Sequence, residues 1–371
     1  MAQTLHTVMR VPYLDLSAQH APIKDELMSA IGAIIDKSAF VLGPGVDAFE
    51  HHFAEFCGAK HCVAVNTGTA ALHLALLAYG IGPGDEVITQ ADTFIATVAA
   101  IMYTGAKPIL VDIAPPSYTI DVRAVEAAIT QRTRAILPVH LFGQPCDLDA
   151  LRAIARKNHL ALIEDASQAH GARYKGTTIG AAGTATFSFY PGKNLGACGE
   201  GGAVVTSDSA VADRVRLLRN HGSCEKYRHD VLGFNFRLEG IQGAVLDVKT
   251  KYLAGWTLER RRVAEQYDAL LDGIDRPSLL PETESAYHIY PVFVPNRDAV
   301  RAAMSEAGIE TNVHYPIPCH LQPGYAALGY AEGTFPLSEF IASKELSLPI
   351  FPEMTSEQVQ YVASHLRRVT S

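Results

Sequence analysis

From residue 61 onward the chain alternates between short apolar runs and stretches whose apolar residues recur at helical spacing. Residues 61–65 (HCVAV), 86–89, 107–112, 134–140 and 160–165 read as strands. Between and beside them, residues 69–79, 95–103, 122–130 and 148–158 read as helices. Two further strands are expected over 184–190 and 203–206, and a helix over 211–221. Strand and helix alternating at this interval predict a mostly parallel sheet with helices on both faces. Ahead of it, residues 22–37 carry apolar side chains at 23, 27, 31, 34 and 35, an amphipathic helix, and 46–57 resumes that spacing after the turn Leu42-Gly43-Pro44-Gly45. A long helix follows residue 242 and ends near 271. Beyond it the texture changes to strand (286–294), helix (297–308) and strand (311–315), a small α+β unit. The expected division is a large domain over 1–250 and a small C-terminal domain over 251–371.

Composition narrows the function classes. A chain of 371 residues with 48% hydrophobic and 19% charged residues buries a large core and is not disordered. Its net charge of −8 excludes a nucleic-acid backbone as the natural partner. An anionic substrate then needs local cationic or N–H sites. The cysteines at 57, 62, 146, 198, 224 and 319 are scattered, and Cys57-x4-Cys62 has no second ligand pair, so no metal site is expected. Cysteines without a disulfide framework fit a reducing cytoplasm. The first fifteen residues lack the apolar core of a signal peptide, and no apolar run is long enough to span a bilayer. A cytoplasmic protein without membrane contact is expected.

Candidate chemistry gathers around one stretch, TATFSFYPGKNLGACGEGG, from Thr184 to Gly202. A strand breaks at Pro191-Gly192 and Lys193 stands on the turn among glycines. Taken alone, such a lysine reads first as a solvated surface residue. Upstream, Leu160-Ala-Leu-Ile-Glu-Asp165 puts a carboxylate at the carboxyl end of an apolar strand, where open α/β sheets bind ligands. Asp165 also reads as an ordinary helix N-cap. One lysine and one buried aspartate are what pyridoxal phosphate (PLP) chemistry asks of a protein, the first for a Schiff base and the second to keep the pyridinium nitrogen protonated. Asn66-Thr67-Gly68-Thr69 turns from strand to helix, a natural phosphate site, although a plain threonine N-cap looks the same.

The segments EDASQAHGARYKG and TFSFYPGKNLGACGEGGA closely resemble the DegT/DnrJ/EryC1/StrS family of sugar aminotransferases, with similarity from Val11-Pro-Tyr-Leu-Asp to Phe351-Pro-Glu-Met. The resemblance implies a fold-type I PLP enzyme: a mostly parallel seven-stranded sheet flanked by helices, plus a small α+β C-terminal domain. It implies Lys193 as the catalytic residue that carries PLP. Gly68, Thr69 and Ser188 would hold the phosphate, Phe94 would lie on the pyridine ring, and Asp165 and Gln168 would bond the ring nitrogen and the phenolic oxygen. Gly233-Phe-Asn235-Phe-Arg237 resembles a segment that reaches into the neighbouring subunit, where Asn235 would contact the partner's phosphate; a homodimer with shared sites follows. Tyr190, Tyr227, His229, Arg237, His314, Tyr315 and His320 would face the substrate. The chain departs from the family at Ala91-Asp92, where Pro and Ser or Asn are usual, at Glu239 in place of Asp and at Gly243 in place of Ala.

His314-Tyr-Pro-Ile-Pro-Cys-His320-Leu-Gln and SLPIFPEM (347–354) resemble the branch acting on nucleotide-linked 3-keto-6-deoxyhexoses, enzymes of deoxysugar biosynthesis. The implied reaction moves the amino group of L-glutamate to a dTDP-3-keto-6-deoxyhexose, giving dTDP-3-amino-3,6-dideoxyhexose. C4 amination of a GDP- or UDP-4-keto sugar and amination of a keto-cyclitol remain as alternatives. Dehydrating relatives carry histidine in place of Lys193, which argues against that chemistry here. A non-catalytic binder of sugar nucleotides would not need Lys193, Asp165 and Gln168 together.

Overall fold

The computed structural model describes residues 9–370, so the reading of the first fifteen residues rests in part on residues 1–8, outside the described ones. The alternating pattern becomes one seven-stranded sheet. Its strands are β1 His61–Val65, β2 Glu86–Gln90, β3 Lys107–Val111, β4 Thr133–Leu137, β5 Ala161–Asp165, β6 Thr184–Ser188 and β7 Gly202–Thr206. They stand in the order β1-β7-β6-β5-β4-β2-β3. β7 runs antiparallel to both β1 and β6, and the other pairs are parallel.

Besides a short helical turn over Leu16–His20, the helices are α1 Lys24–Asp36, α2 Pro44–Cys57, α3 Gly68–Ala78, α4 Ile95–Tyr103, α5 Val122–Ala127, α6 Leu148–Lys157, α7 Ser209–Arg219, α8 Gly240–Leu270, α9 Arg297–Glu306, α10 Pro336–Lys344 and α11 Ser356–Thr370. α2 starts earlier than its apolar spacing suggests because Gly43 adopts a φ of 81° and Pro44 opens the helix. Side chains close the starts of α3, α6 and α7, with Thr67, Asp147 and Asp208 accepting backbone N–H bonds.

Strand alternation divides the apolar side chains between two faces. Cys62, Ala64, Ala203 and Val205 pack with Phe49 and Phe53 of α2 and Leu246 and Leu253 of α8. Val63, Val65 and Val204 pack instead with Leu72 and Leu76 of α3 and Val211 and Val215 of α7. A further core joins Val263 and Tyr267 of α8 to Val11, Ile309 and Leu366. α8 therefore serves both regions, and it runs unbroken through residue 250, where the sequence pattern placed a domain boundary.

The C-terminal part differs from expectation in two strands. β8 Tyr290–Phe293 pairs antiparallel with β9 Glu345–Leu348, which the apolar pattern did not single out. The strand expected over 311–315 forms only a bridge between Asn312 and Ser347. Beyond that bridge the His314 backbone N–H donates to the Glu345 side chain at 2.7 Å, so the ladder stops. Among the described residues, no helix is long and apolar enough to cross a membrane.

Candidate active site

The carboxyl edge of the sheet brings together residues far apart in the chain. Asp165 ends β5 opposite Thr186 of β6. Two residues on, Ser188 closes β6, and the chain enters the turn that carries Lys193 before returning as β7. The start of β7 presses on the start of α3: a Cβ on Gly202 would lie 2.6 Å from the Gly68 nitrogen. Likewise a Cβ on Gly68 would lie 2.6 Å from the Ser188 Cβ. Glycine at both positions lets the α3 N-terminus, with its free N–H groups and positive dipole end, sit against Ser188. Thr69 is half-buried on the first turn.

Lys193 Nζ lies 3.5 Å from His288 Nε2. The histidine is held in turn by Asn194, whose Nδ2 donates to the Ala286 carbonyl at 2.8 Å and whose Oδ1 lies 3.1 Å from His288 Nδ1. Since that amide oxygen only accepts, His288 carries its hydrogen on Nδ1 and turns a lone pair toward Lys193. Burial brings the Lys193 ammonium down to about 8, against the opposing pull of the Asp165 charge. Burial, then the Lys193 charge, holds His288 well below its ordinary range, so it stays neutral.

Asp165 is only 3% exposed. Its Oδ1 accepts the Ser167 backbone N–H at 3.1 Å, and its Oδ2 accepts the Thr97 hydroxyl at 2.9 Å. Thr97 is itself bonded to Thr93 at 2.9 Å. Phe94, 52% exposed at the start of α4, packs on Tyr315 with ring centroids 5.4 Å apart. Gln168 accepts the Phe142 backbone N–H at 2.6 Å and donates one Nε2 hydrogen to the Tyr315 hydroxyl at 3.2 Å, leaving the second hydrogen for another acceptor. The His314–Tyr315 peptide bond is cis. His170 lies among Phe53, Phe187 and Phe189, and burial, then the Lys193 charge, brings it down to about 3.

The remaining expected residues divide into groups. Tyr190 is exposed beside the Lys193 turn. Tyr227, 86% exposed, and His229 stand on an exposed hairpin of Ser223–Glu225 and Arg228–His229, touching none of the residues above. Asn235 bridges to Asn220 and Arg237 to Val65, so their segment runs beside the exit of β1. Arg237 Nη1 donates to Asn220 Oδ1 at 2.9 Å, while its Nε and the Asn66 Oδ1 are buried without partners among the described residues. His320, expected to face substrate, has its ring fully buried, 3.0 Å from Glu339 and edge-on to Phe335. It braces its own loop instead, because that contact turns the ring toward Glu339 rather than into the cleft. His314 bonds Ser347 rather than His320. Among the described residues, the group spaced for a metal is His51, His52 and Glu55, exposed on α2.

Sequence reasoning missed His288, Asn194, Thr97 and His170. Asn194 and His170 stand inside the two motifs and signalled themselves only as neighbours. His288 lies in AYHIYP, whose apolar pattern reads as strand and gives no sign of a partner 95 positions away.

Residues 22–367 match the DegT/DnrJ/EryC1/StrS aminotransferase family. The dTDP-3-amino-3,4,6-trideoxy-alpha-D-glucose transaminase of Streptomyces venezuelae is 46% identical, over 96% of this chain and 96% of its own. The UDP-N-acetyl-3-dehydro-alpha-D-glucosamine 3-aminotransferase of Acidithiobacillus ferrooxidans is 44% identical, over 96% and 97%. The crystal structure of S. venezuelae DesV in complex with a ketimine intermediate superposes with a TM-score of 0.96 at 45% identity, covering 98% of this chain and 99% of that one. Other similar structures hold PLP or its amino form, PMP. The residues present fit that cofactor: the Gly68–Ser188 cradle leaves no room for a Cβ, Asp165 offers a buried carboxylate, and Lys193 offers an amine of lowered basicity. The chain belongs to the DegT/DnrJ/EryC1/StrS aminotransferase family and is a PLP-dependent aminotransferase of fold type I.

Proposed function

We propose that this aminotransferase takes the amino group of L-glutamate and delivers it to C3 of a dTDP-linked 3-keto-6-deoxyhexose. The observation that carries the reading is the pairing of a lysine titrating near 8 with a buried aspartate on one sheet edge, in a chain 46% identical to a dTDP-amino-sugar transaminase. When bound, PLP supplies an electron sink that acidifies the carbon bearing the amino group. Lys193 would hold the cofactor and, as a free amine of lowered basicity, is suited to take and return a proton beside it. A positioned general base of this kind contributes roughly 10²–10⁴-fold. The α3 N-terminus at Gly68 and Thr69, with Ser188, binds the phosphate. Asp165, fixed by Thr97 and the Ser167 N–H, keeps the ring nitrogen protonated. Phe94 would cover one face of the ring, and the free Nε2 hydrogen of Gln168 would bond the phenolic oxygen. His288 accepts from the Lys193 amine and so steers it.

Tyr190, His314 and Tyr315 supply the substrate side, and Tyr227, His229, Asn235 and Arg237 act across a two-fold interface. A UDP-linked 3-keto sugar is the second reading, favoured by the A. ferrooxidans relative. The test is a panel of dTDP-, UDP- and GDP-linked 3- and 4-keto sugars offered with glutamate, scored by 2-oxoglutarate release and product mass. Turnover on the dTDP-3-keto sugar is expected to lead. A clear preference for UDP or for a 4-keto sugar would replace the reading.

A further inference from the structure

His314, within reach of the Lys193 charge, ends a line of three polar side chains, and the other two, Glu345 and Ser347 of β9, have no role in the steps above. The buried Glu345 carboxyl accepts the His314 backbone N–H at Oε2, 2.7 Å away. Its other oxygen, Oε1, bonds the Ser347 hydroxyl. Ser347 Oγ lies 2.7 Å from His314 Nδ1. His314 Nε2, at the far end, has no hydrogen-bond partner among the described residues. The ring is stacked against Tyr13 at 6.0 Å and meets Tyr315 edge-on at 5.3 Å.

We propose that Glu345 and Ser347 are positioning residues whose bonds make the protonation state of the Glu345 carboxyl decide which ring nitrogen of His314 carries the hydrogen. Nε2 then offers the cleft either a donor or an acceptor. The proposal rests on the functional reading only in taking that cleft as the substrate side.

The donor inventory allows two arrangements. The His314 N–H occupies Oε2, so any carboxyl proton resides on Oε1. With Glu345 ionised, Ser347 must donate to Oε1 and can only accept from the ring. The ring hydrogen is then on Nδ1, and Nε2 presents a lone pair. With Glu345 protonated, the carboxyl donates to Ser347, the hydroxyl turns to Nδ1, and the hydrogen is on Nε2. Passing from the second state to the first moves one proton along the line. Nε2 gives its hydrogen to a basic atom in the cleft, Nδ1 takes the Ser347 proton, and Ser347 takes the Glu345 proton. One negative charge is left on Glu345 and every other bond is restored.

The surroundings place that change in an accessible range. Burial dominates at Glu345 and pushes it up to about 8, opposed by the Ser347 and His314 hydrogen bonds and the Arg297 charge. From α9, Arg297 also bonds the Glu345 backbone carbonyl at 3.1 Å. The buried Asp92 and Tyr13 are the acidic groups that feel the Glu345 charge, and both are held protonated chiefly by burial. His314 itself is brought down to about 4 by burial, then by the Lys193 charge, so its ring is neutral throughout.

The test is ¹⁵N NMR of the holoenzyme with labelled histidine, the His314 signals being assigned by their loss in His314→Gln. No substrate is needed, so the result is independent of which sugar is used. Raising the pH across about 8 is expected to move the hydrogen from Nε2 to Nδ1 and exchange the two nitrogen shifts. Glu345→Gln can only donate to Ser347 while its carbonyl faces the His314 N–H, and should hold the hydrogen on Nε2 at every pH. A wild-type ring with one tautomer throughout, or a Glu345→Gln ring that follows the wild-type course, overturns the proposal. Silence of every keto sugar in the panel would instead overturn the functional reading and leave the NMR result standing.

Discussion

At the scale of single residues, burial brings the amine of Lys193 down to about 8 from its ordinary 10.5. The unfolded chain binds a proton there that the folded chain does not, between those two values. Across that window the contribution of Lys193 to stability therefore rises with pH, and below about 8 its full cost is present. In cofactor-stripped protein, trinitrophenylation of Lys193, read by peptide mapping, should climb with a midpoint near pH 8. A midpoint above 10 would contradict the burial described here. Asp165→Asn should fold normally, because Asn keeps an acceptor for Thr97, yet lose roughly 10²-fold or more in turnover as the charge-assisted bond to the ring nitrogen goes. Turnover within a factor of a few of wild type would assign that task to another acid. Lys193 and Asp165 were legible because each sits in a motif whose order along the chain reproduces its place in space. His288 and Asn194 were not, since their pairing depends on a backbone path between residues 194 and 288 that no local pattern encodes.

Elements follow the same division. The seven sheet strands appear within two or three residues of their apolar runs, because a strand buried on both faces must be apolar along its length. The 311–315 run misled for a specific reason: a buried acid on β9 takes the N–H that a neighbouring strand would need. β9 itself was hidden because its polar residues, Glu345 and Ser347, are buried in mutual hydrogen bonds and break the apolar signal. The junction of β1 and α3 carries the sharpest test of an element's position. Gly68→Ala would put a methyl 2.6 Å from the Ser188 Cβ, so β6 or α3 must move away from the phosphate. Cofactor affinity, measured by equilibrium dialysis, should fall by about tenfold or more, with a smaller loss of folding stability. Unchanged affinity would place the phosphate elsewhere.

For the whole molecule, the two-chain site is the first consequence to check. Arg237 carries a buried Nε without a partner among the described residues, and its segment lies along the exit of β1. Lys193→Ala and Asn235→Ala/Arg237→Ala chains, each inactive, are expected to complement when mixed. Half of the random dimers pair unlike chains with one sound site of two, so about a quarter of wild-type activity should return. Demonstrated subunit exchange with no activity would confine each site to one chain. The 31-residue helix α8 bears on a different property. Its first half is packed under the sheet through Leu246 and Leu253, and its second half lies in the C-terminal core through Val263 and Tyr267. Between them the buried Arg260 bonds the carbonyls of Tyr287, His288 and Ile350. Heat cannot loosen one core without fraying the rod that fills the other. Calorimetry should accordingly record one endotherm rather than two, and a fragment cut within α8 should yield neither half as a folded piece.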